Sequence, residues 1–149
     1  MSWQPFDTAL VIEQLKTQAA QLQQVGGAAD YAAVQSLTSF RTPSAFVVLA
    51  GEQDISPDVD APQRRPSAAQ QVESTFGVVV AVENFRDALG EAAADDASPV
   101  ITAVRNAIAG WTPDEKRYRP IRWRMGDVLD YDANTLLWMD VFTVNHFFS

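Results

Sequence analysis

Apolar residues recur at Val11, Leu15, Ala19 and Leu22, a spacing that draws one stripe along a helix and leaves Glu13, Gln14, Lys16 and Gln21 off it. Asp7 can cap the first free amides, and Phe6 just before it is placed to pack on Val11 as a hydrophobic staple. Gly26-Gly27 predicts the end of this helix. A shorter helical piece is expected over about residues 30–37, and Pro43 then disfavours helix at Thr42 and favours extended chain.

The pattern changes to strands from Ala45. Residues 45–50, Ala-Phe-Val-Val-Leu-Ala, form a short apolar run closed by Gly51, which predicts a buried strand. Residues 52–67 hold Asp54, Pro57, Asp58, Asp60, Pro62, Arg64, Arg65 and Pro66 and have little to bury, so a long loop is expected there. Residues 70–84 read as the clearest strand, with Val72, Phe76, Val78, Val80 and Val82 on one face. Val79 and Ala81 make the opposite face apolar midway, so that face too must be covered, by helices, a second sheet or a neighbouring subunit.

Ser98-Pro99 is a helix-start signal, a capping hydroxyl followed by proline, with Asp95 and Asp96 suited to the positive end of the helix dipole. Ile101, Val104, Ile108 and Trp111 line one side of that helix, and Gly110 and Pro113 mark its end. Residues 121–148 divide around Asp130-Tyr131-Asp132-Ala133-Asn134 into two extended stretches rich in Trp, Leu, Val and Phe, which predicts an antiparallel hairpin. The order is helix, short helix, strand, long loop, strand, helix, hairpin. That is an α+β fold: a largely antiparallel sheet with helices packed on one face, and a C-terminal β-hairpin.

Length and composition narrow the class. With 149 residues, 47% of them hydrophobic, one domain spanning 1–149 is expected, with a core of its own. There is no cysteine, which excludes disulfides, thiolate zinc sites, iron–sulfur clusters and cysteine nucleophiles. The start lacks a basic segment before its apolar residues, so no signal peptide is expected and synthesis in the cytoplasm follows. The apolar runs are too short to span a bilayer, and no membrane partner is expected. Nineteen acidic against eleven basic residues give a net charge of −8, which disfavours non-specific grip on nucleic acid.

Candidate chemistry is sparse. His146 is the only histidine, so triads, histidine general bases and multi-histidine metal sites are not expected within one chain, and it reads as a packed or interface residue. Asp130, Asp132 and Asn134 open like a calcium loop, but Thr135 and Val141 stand where that loop needs glycine and glutamate, so a turn is the better reading. Asp58 and Asp60, like Asp95 and Asp96, read as solvated carboxylates. No phosphate-binding glycine pattern occurs, and no cofactor or metal is expected. Lys116, Arg117, Arg119, Arg122 and Arg124 form a basic cluster interleaved with Tyr118 and Trp123. Such a cluster fits nucleic acid or an acidic partner, or is simply a solvated strand start; against −8, an acidic protein surface is the favoured target.

Several stretches taken in order resemble the tail terminator, or tail completion, proteins of long-tailed bacteriophages. They are Val25-Gly26-Gly27-Ala28-Ala29-Asp30, Pro43-Ser44-Ala45-Phe46-Val47, Phe76-Gly77-Val78-Val79-Val80 followed by Asn84-Phe85-Arg86-Asp87, Gly110-Trp111-Thr112-Pro113 and Asp140-Val141-Phe142. The resemblance implies a structural virion protein, not an enzyme. It implies a homo-hexameric ring at the head-proximal end of the tail tube that stops tube polymerisation and offers a docking surface to the head connector. Its partners would be its own copies, the major tail tube protein and the head-completion or connector protein, with DNA only passing through the lumen. Assembly would take place in the host cytoplasm and the product would lie in the virion tail and neck.

For that role the candidate partner or ring-interface residues are Asp54, Asp58, Asp60, Arg64, Arg65, Arg117, Arg119, Arg122 and Arg124. The apolar residues 138–148 and the doubly apolar strand are expected to supply surface that neighbours bury. A neck or tail-tube ring protein is the near alternative. A small-ligand-binding protein or acid-catalysed enzyme with a pocket under Trp111, Trp123 and Trp138 is the distant one, and it needs convergent polar groups in a concave site.

Overall fold

A computed structural model describes residues 3–57, 70–83 and 91–148, without the side chains of residues 38 and 91–96. The described elements are helix α1 (Thr8–Gln18), strand β1 (Gln24–Gly27), helix α2 (Ala28–Ala32), a 3-10 turn (Leu37–Ser39), β2 (Ser44–Asp54), β3 (Gln70–Glu83), α3 (Glu91–Ile108), β4 (Arg122–Tyr131) and β5 (Thr135–Phe148). The strands form one five-stranded sheet in the order β1-β2-β3-β5-β4. Only the β1–β2 pair is parallel; the other three pairs are antiparallel. The class is α+β with a C-terminal hairpin, as the residue pattern predicts.

Helix α1 forms as expected. The Asp7 carboxylate accepts the Ala9 amide at 3.0 Å, and Val11, Leu15 and Ala19 are buried on the predicted stripe. The helix stops at Gln18, however, and Gly26-Gly27 are not its cap: they belong to β1, where Val25 and Gly26 pair with Ala45 and Phe46. The glycine at 26 serves close approach. A Cβ there would lie 2.6 Å from Asp30 Oδ2, the oxygen that accepts the Gly27 amide at 2.9 Å and ties α2 back to β1. The short helix predicted near 30–37 is split into α2 and the 3-10 turn, and the Thr42–Pro43 bond is cis.

Two further boundaries differ from expectation. Strand β2 runs on through an irregularity at Ala50 as far as Asp54, so the loop begins later than residue 52. Helix α3 starts at Glu91 and carries Pro99 inside it, on its exposed side, so Ser98-Pro99 is not its start. The physical reason is propensity: Glu91-Ala92-Ala93-Ala94 are strong helix formers, and the single backbone bond lost at proline does not stop them.

The two long helices cover one face of the sheet. Val11, Leu15, Ile101, Val104 and Ile108 pack there with Val47, Phe76, Val78, Val80 and Phe142 in one buried cluster. Ring stacking continues through it, with Phe76 5.3 Å from Phe6 and 5.5 Å from Phe142. The opposite face is closed by the chain itself: Tyr31, Leu37 and Phe40 lie over Phe46, Val79, Ala81 and Leu137. The doubly apolar strand β3 therefore needs no neighbour to cover Val79 and Ala81. Residues 138–148 likewise lie in β5, an inner strand between β3 and β4, and are all buried or half-buried. Apart from Trp3, the exposed large apolar side chains of the described residues all lie on β4.

Candidate assembly surface

Strand β4 is the last strand of the sheet, and nine of its ten residues are exposed. Met125, Trp123, Leu129, Tyr131 and Val128 are between 37% and 50% exposed, an apolar content unusual for an edge with which no described segment pairs. Its register on β5 sorts the side chains. Trp123, Gly126, Val128 and Tyr131 pair with Phe142, Asp140, Trp138 and Leu136, on the side of the sheet covered by α1 and α3. Arg122, Met125, Asp127 and Asp130 pair with Thr143, Val141, Met139 and Leu137, on the other side. Extra residues at Arg124 and Leu129 interrupt the ladder once in each half.

Trp123 is held in place by a buried carboxylate. Asp140, with a fully buried side chain, accepts two hydrogen bonds from Arg105, Nε at 2.9 Å and Nη2 at 2.8 Å, and one indole N–H each from Trp123 at 3.1 Å and Trp138 at 2.9 Å. The Arg105 guanidinium, reaching across from α3, also lies 4.9 Å from the Trp123 ring and 5.8 Å from the Trp138 ring. Bonding to the carboxylate raises the Arg105 pKa further, against the opposing effect of burial, so the guanidinium stays charged. Gly126 makes room for it: a Cβ there would come within 2.6 Å of Asp140 Oδ1 and 2.8 Å of Arg105 Nη2. The sequence did carry a signal for this group. A carboxylate amid Trp138, Met139, Val141 and Phe142 in a buried strand must find charged or N–H partners.

The predicted basic cluster is dispersed. Arg117 turns inward, donating to the Gln4 carbonyl at 3.2 Å and stacking on Tyr118 at 5.4 Å. Arg124 is tied to the outer side of the sheet by Thr143 Oγ1 at 2.8 Å and Glu73 at 3.5 Å. Arg119 and Arg122 are exposed and have no side-chain hydrogen bond or ion pair among the described residues. A shallow open cleft gathers Thr112, Lys116, Arg117, Arg119 and Phe147. Asp54 is exposed at the end of β2, its Oδ1 accepting the Ser56 amide at 2.9 Å. It shares a row across the sheet with Val72, His146 and Tyr118, roughly 14 Å from the last at three strand spacings. Asp58, Asp60, Arg64 and Arg65 lie outside the described residues, as does the stretch 84–87.

At that same end of the sheet the structure assembles a group that residue counting did not foresee. Ser74 Oγ lies 2.7 Å from His146 Nε2 and also bonds Glu52 Oε2, which is 3.3 Å from the same nitrogen and accepts the Phe6 amide at 3.1 Å. These are the residue types of a hydrolase triad, but not its arrangement. Serine and carboxylate share one ring nitrogen, Nδ1 has no partner among the described residues, and Ser74 is fully buried. His146 packs between Tyr118 and Phe148, and burial, outweighing Glu52, holds its pKa below the ordinary histidine value. It is a packed residue that pins the N-terminal segment through Glu52.

The remaining candidates resolve simply. Asp132 Oδ1 accepts the amides of Asn134 and Thr135 at 2.7 and 2.8 Å, which makes the acidic stretch the hairpin turn. Trp111 and Trp138 both pack against the helix-side core, and Trp138 closes with Trp123 on Arg105. No helix among the described residues is long and apolar enough to cross a membrane.

Comparison with curated proteins gives no match. The profile of one family, described as phage tail terminator protein, matches residues 1–149, the whole chain. The match spans the sheet, the helices and the exposed edge alike, and the chain belongs to the phage tail terminator family, structural proteins of the bacteriophage tail.

Proposed function

We propose that this chain, acting as one domain, forms a hexameric ring that caps the head-proximal end of the tail tube. The ring stops addition of tube subunits and presents its other face to the head connector. The observation that supports this beyond family membership is the surface of β4: five large apolar side chains, among them Trp123 already fixed in position, stand exposed on an edge with which no described segment pairs. Such an edge is stable in isolation only if assembly or repulsion keeps it from random pairing. Asp54, Arg119, Lys116 and Arg117 share one end of the sheet, which suits that end to a polar contact with tube or connector.

With −8 on each chain a six-membered ring carries about −48, a field that repels DNA from a lumen wall instead of holding it. The direct test is tube growth. Purified tube protein polymerised with this chain should give short tubes, with six-fold density at one end in electron micrographs. Tubes that lengthen at the same rate with and without it would refute the cap.

A further inference from the structure

We propose that, before it meets the tube, the free chain pairs with a second copy of itself through β4, edge to edge and antiparallel, about a two-fold axis at Gly126. The register of β4 on β5 makes the strand symmetric about that glycine. One step out stand Met125 and Asp127, opposite Val141 and Met139; two steps out, Trp123 and Val128, opposite Phe142 and Trp138; three steps out, Arg122 and Asp130, opposite Thr143 and Leu137. Each half carries one extra residue, Arg124 and Leu129, so the ends stay level.

A two-fold axis through Gly126 then sets Arg122 against the partner's Asp130 and Trp123 beside the partner's Val128. The charge is antisymmetric, Arg122 and Arg124 in one half and Asp127 and Asp130 in the other, which makes the edge complementary to itself and to no uniformly charged strand. The two faces agree as well. Trp123 and Val128 meet the partner's Val128 and the partner's Trp123 on the helix side, while on the opposite side Arg122 and Asp130 meet the partner's Asp130 and the partner's Arg122, flanking Met125 beside the partner's Asp127. Trp123 is pre-positioned by Asp140 and Arg105, so it loses little freedom when covered. No described segment of the chain pairs with this edge.

An isologous contact of this kind closes at two subunits, whereas a ring needs head-to-tail contacts. The pair is therefore separate from the ring and does not depend on it. Its consequence is regulatory: it shields the apolar edge of free copies, and the tube end must outcompete it for β4 to be released.

The test exchanges the charges one at a time. Arg122→Asp places two like-charged pairs at the two-fold contact, and so does Asp130→Arg; both residues are exposed and outside the Asp140 clamp. By sedimentation equilibrium the unsubstituted chain should be a dimer, and each variant alone should dissociate about tenfold more readily or worse. Mixing the two variants restores both opposite-charge pairs, so the mixture should form heterodimers as tightly as the original chain. A monomer or a hexamer for the unsubstituted chain, variants that dimerise as well as it does, or a mixture that stays dissociated would each overturn the proposal. The tube-growth assay reads the ring separately, so either reading can fail while the other stands.

Discussion

Replacing Arg105 with methionine tests whether the β4 surface is built on the buried Asp140 carboxylate. Asp140 is fully buried and takes two of its four hydrogen bonds from Arg105; without them, a charge is left in the sheet with only two indole N–H groups. Removing one member of a buried ion pair costs about 3–5 kcal/mol, and the lower end applies because the Arg105 side chain is 36% exposed. At about 2–4 °C per kcal/mol for a domain of this size, the melting temperature should fall by roughly 6–12 °C. Equilibrium urea unfolding gives the same quantity at constant m. The double variant with Asp140→Leu removes the stranded charge, so its cost should fall short of the sum of the single costs by about 2 kcal/mol. A cost below about 1 kcal/mol for Arg105→Met, as for an exposed pair, or strict additivity in the cycle would refute the reasoning.

Gly126→Ala should destabilise by about 1–3 kcal/mol, because its Cβ would crowd Asp140, Trp138 and Arg105, which are held by one another; unfolding indistinguishable from the parent would mean the clamp yields easily. Asp7→Ala should cost about 1 kcal/mol by removing the cap on α1, read as a lower urea midpoint, and an unchanged midpoint counts against the cap. The unfolded chain protonates His146 first, since burial lowers its folded pKa. Its contribution is complete above about pH 6.5 and is lost as pH falls through the folded value. His146→Gln should remove that part of the acid loss in urea titrations; an identical pH slope in both proteins would contradict it.

Much of the fold is legible in the residue pattern because it rests on local periodicity. The α1 stripe, the alternation along β3 and the hairpin around Asp132 each report burial on a nearby face. Elements decided by distant partners are not legible. Gly26-Gly27 reads as a helix stop, yet β2 recruits it as a parallel edge and Asp30 closes over it. Ser98-Pro99 reads as a start, yet the alanines before it carry α3 through. The surplus apolar surface was expected on β3 and β5, because a strand apolar on both faces reads the same whether its cover comes from Phe40 and Tyr31 or from another subunit. Conversely β4, with Arg and Asp among its aromatics, reads as half-polar, and only its place at the sheet edge makes Trp123, Met125 and Leu129 exposed. The clamp was half visible: Asp140 in an apolar strand demanded a partner, but nothing local pointed to Arg105, thirty-five residues away.

The central claim, that this chain ends the tail and joins it to the head, is tested most directly by electron microscopy of particles assembled without it. Tails should then run to uncontrolled lengths or remain unattached to heads, and supplying the chain should restore one length and joined particles. Tails of normal length joined to full heads in its absence would contradict the account.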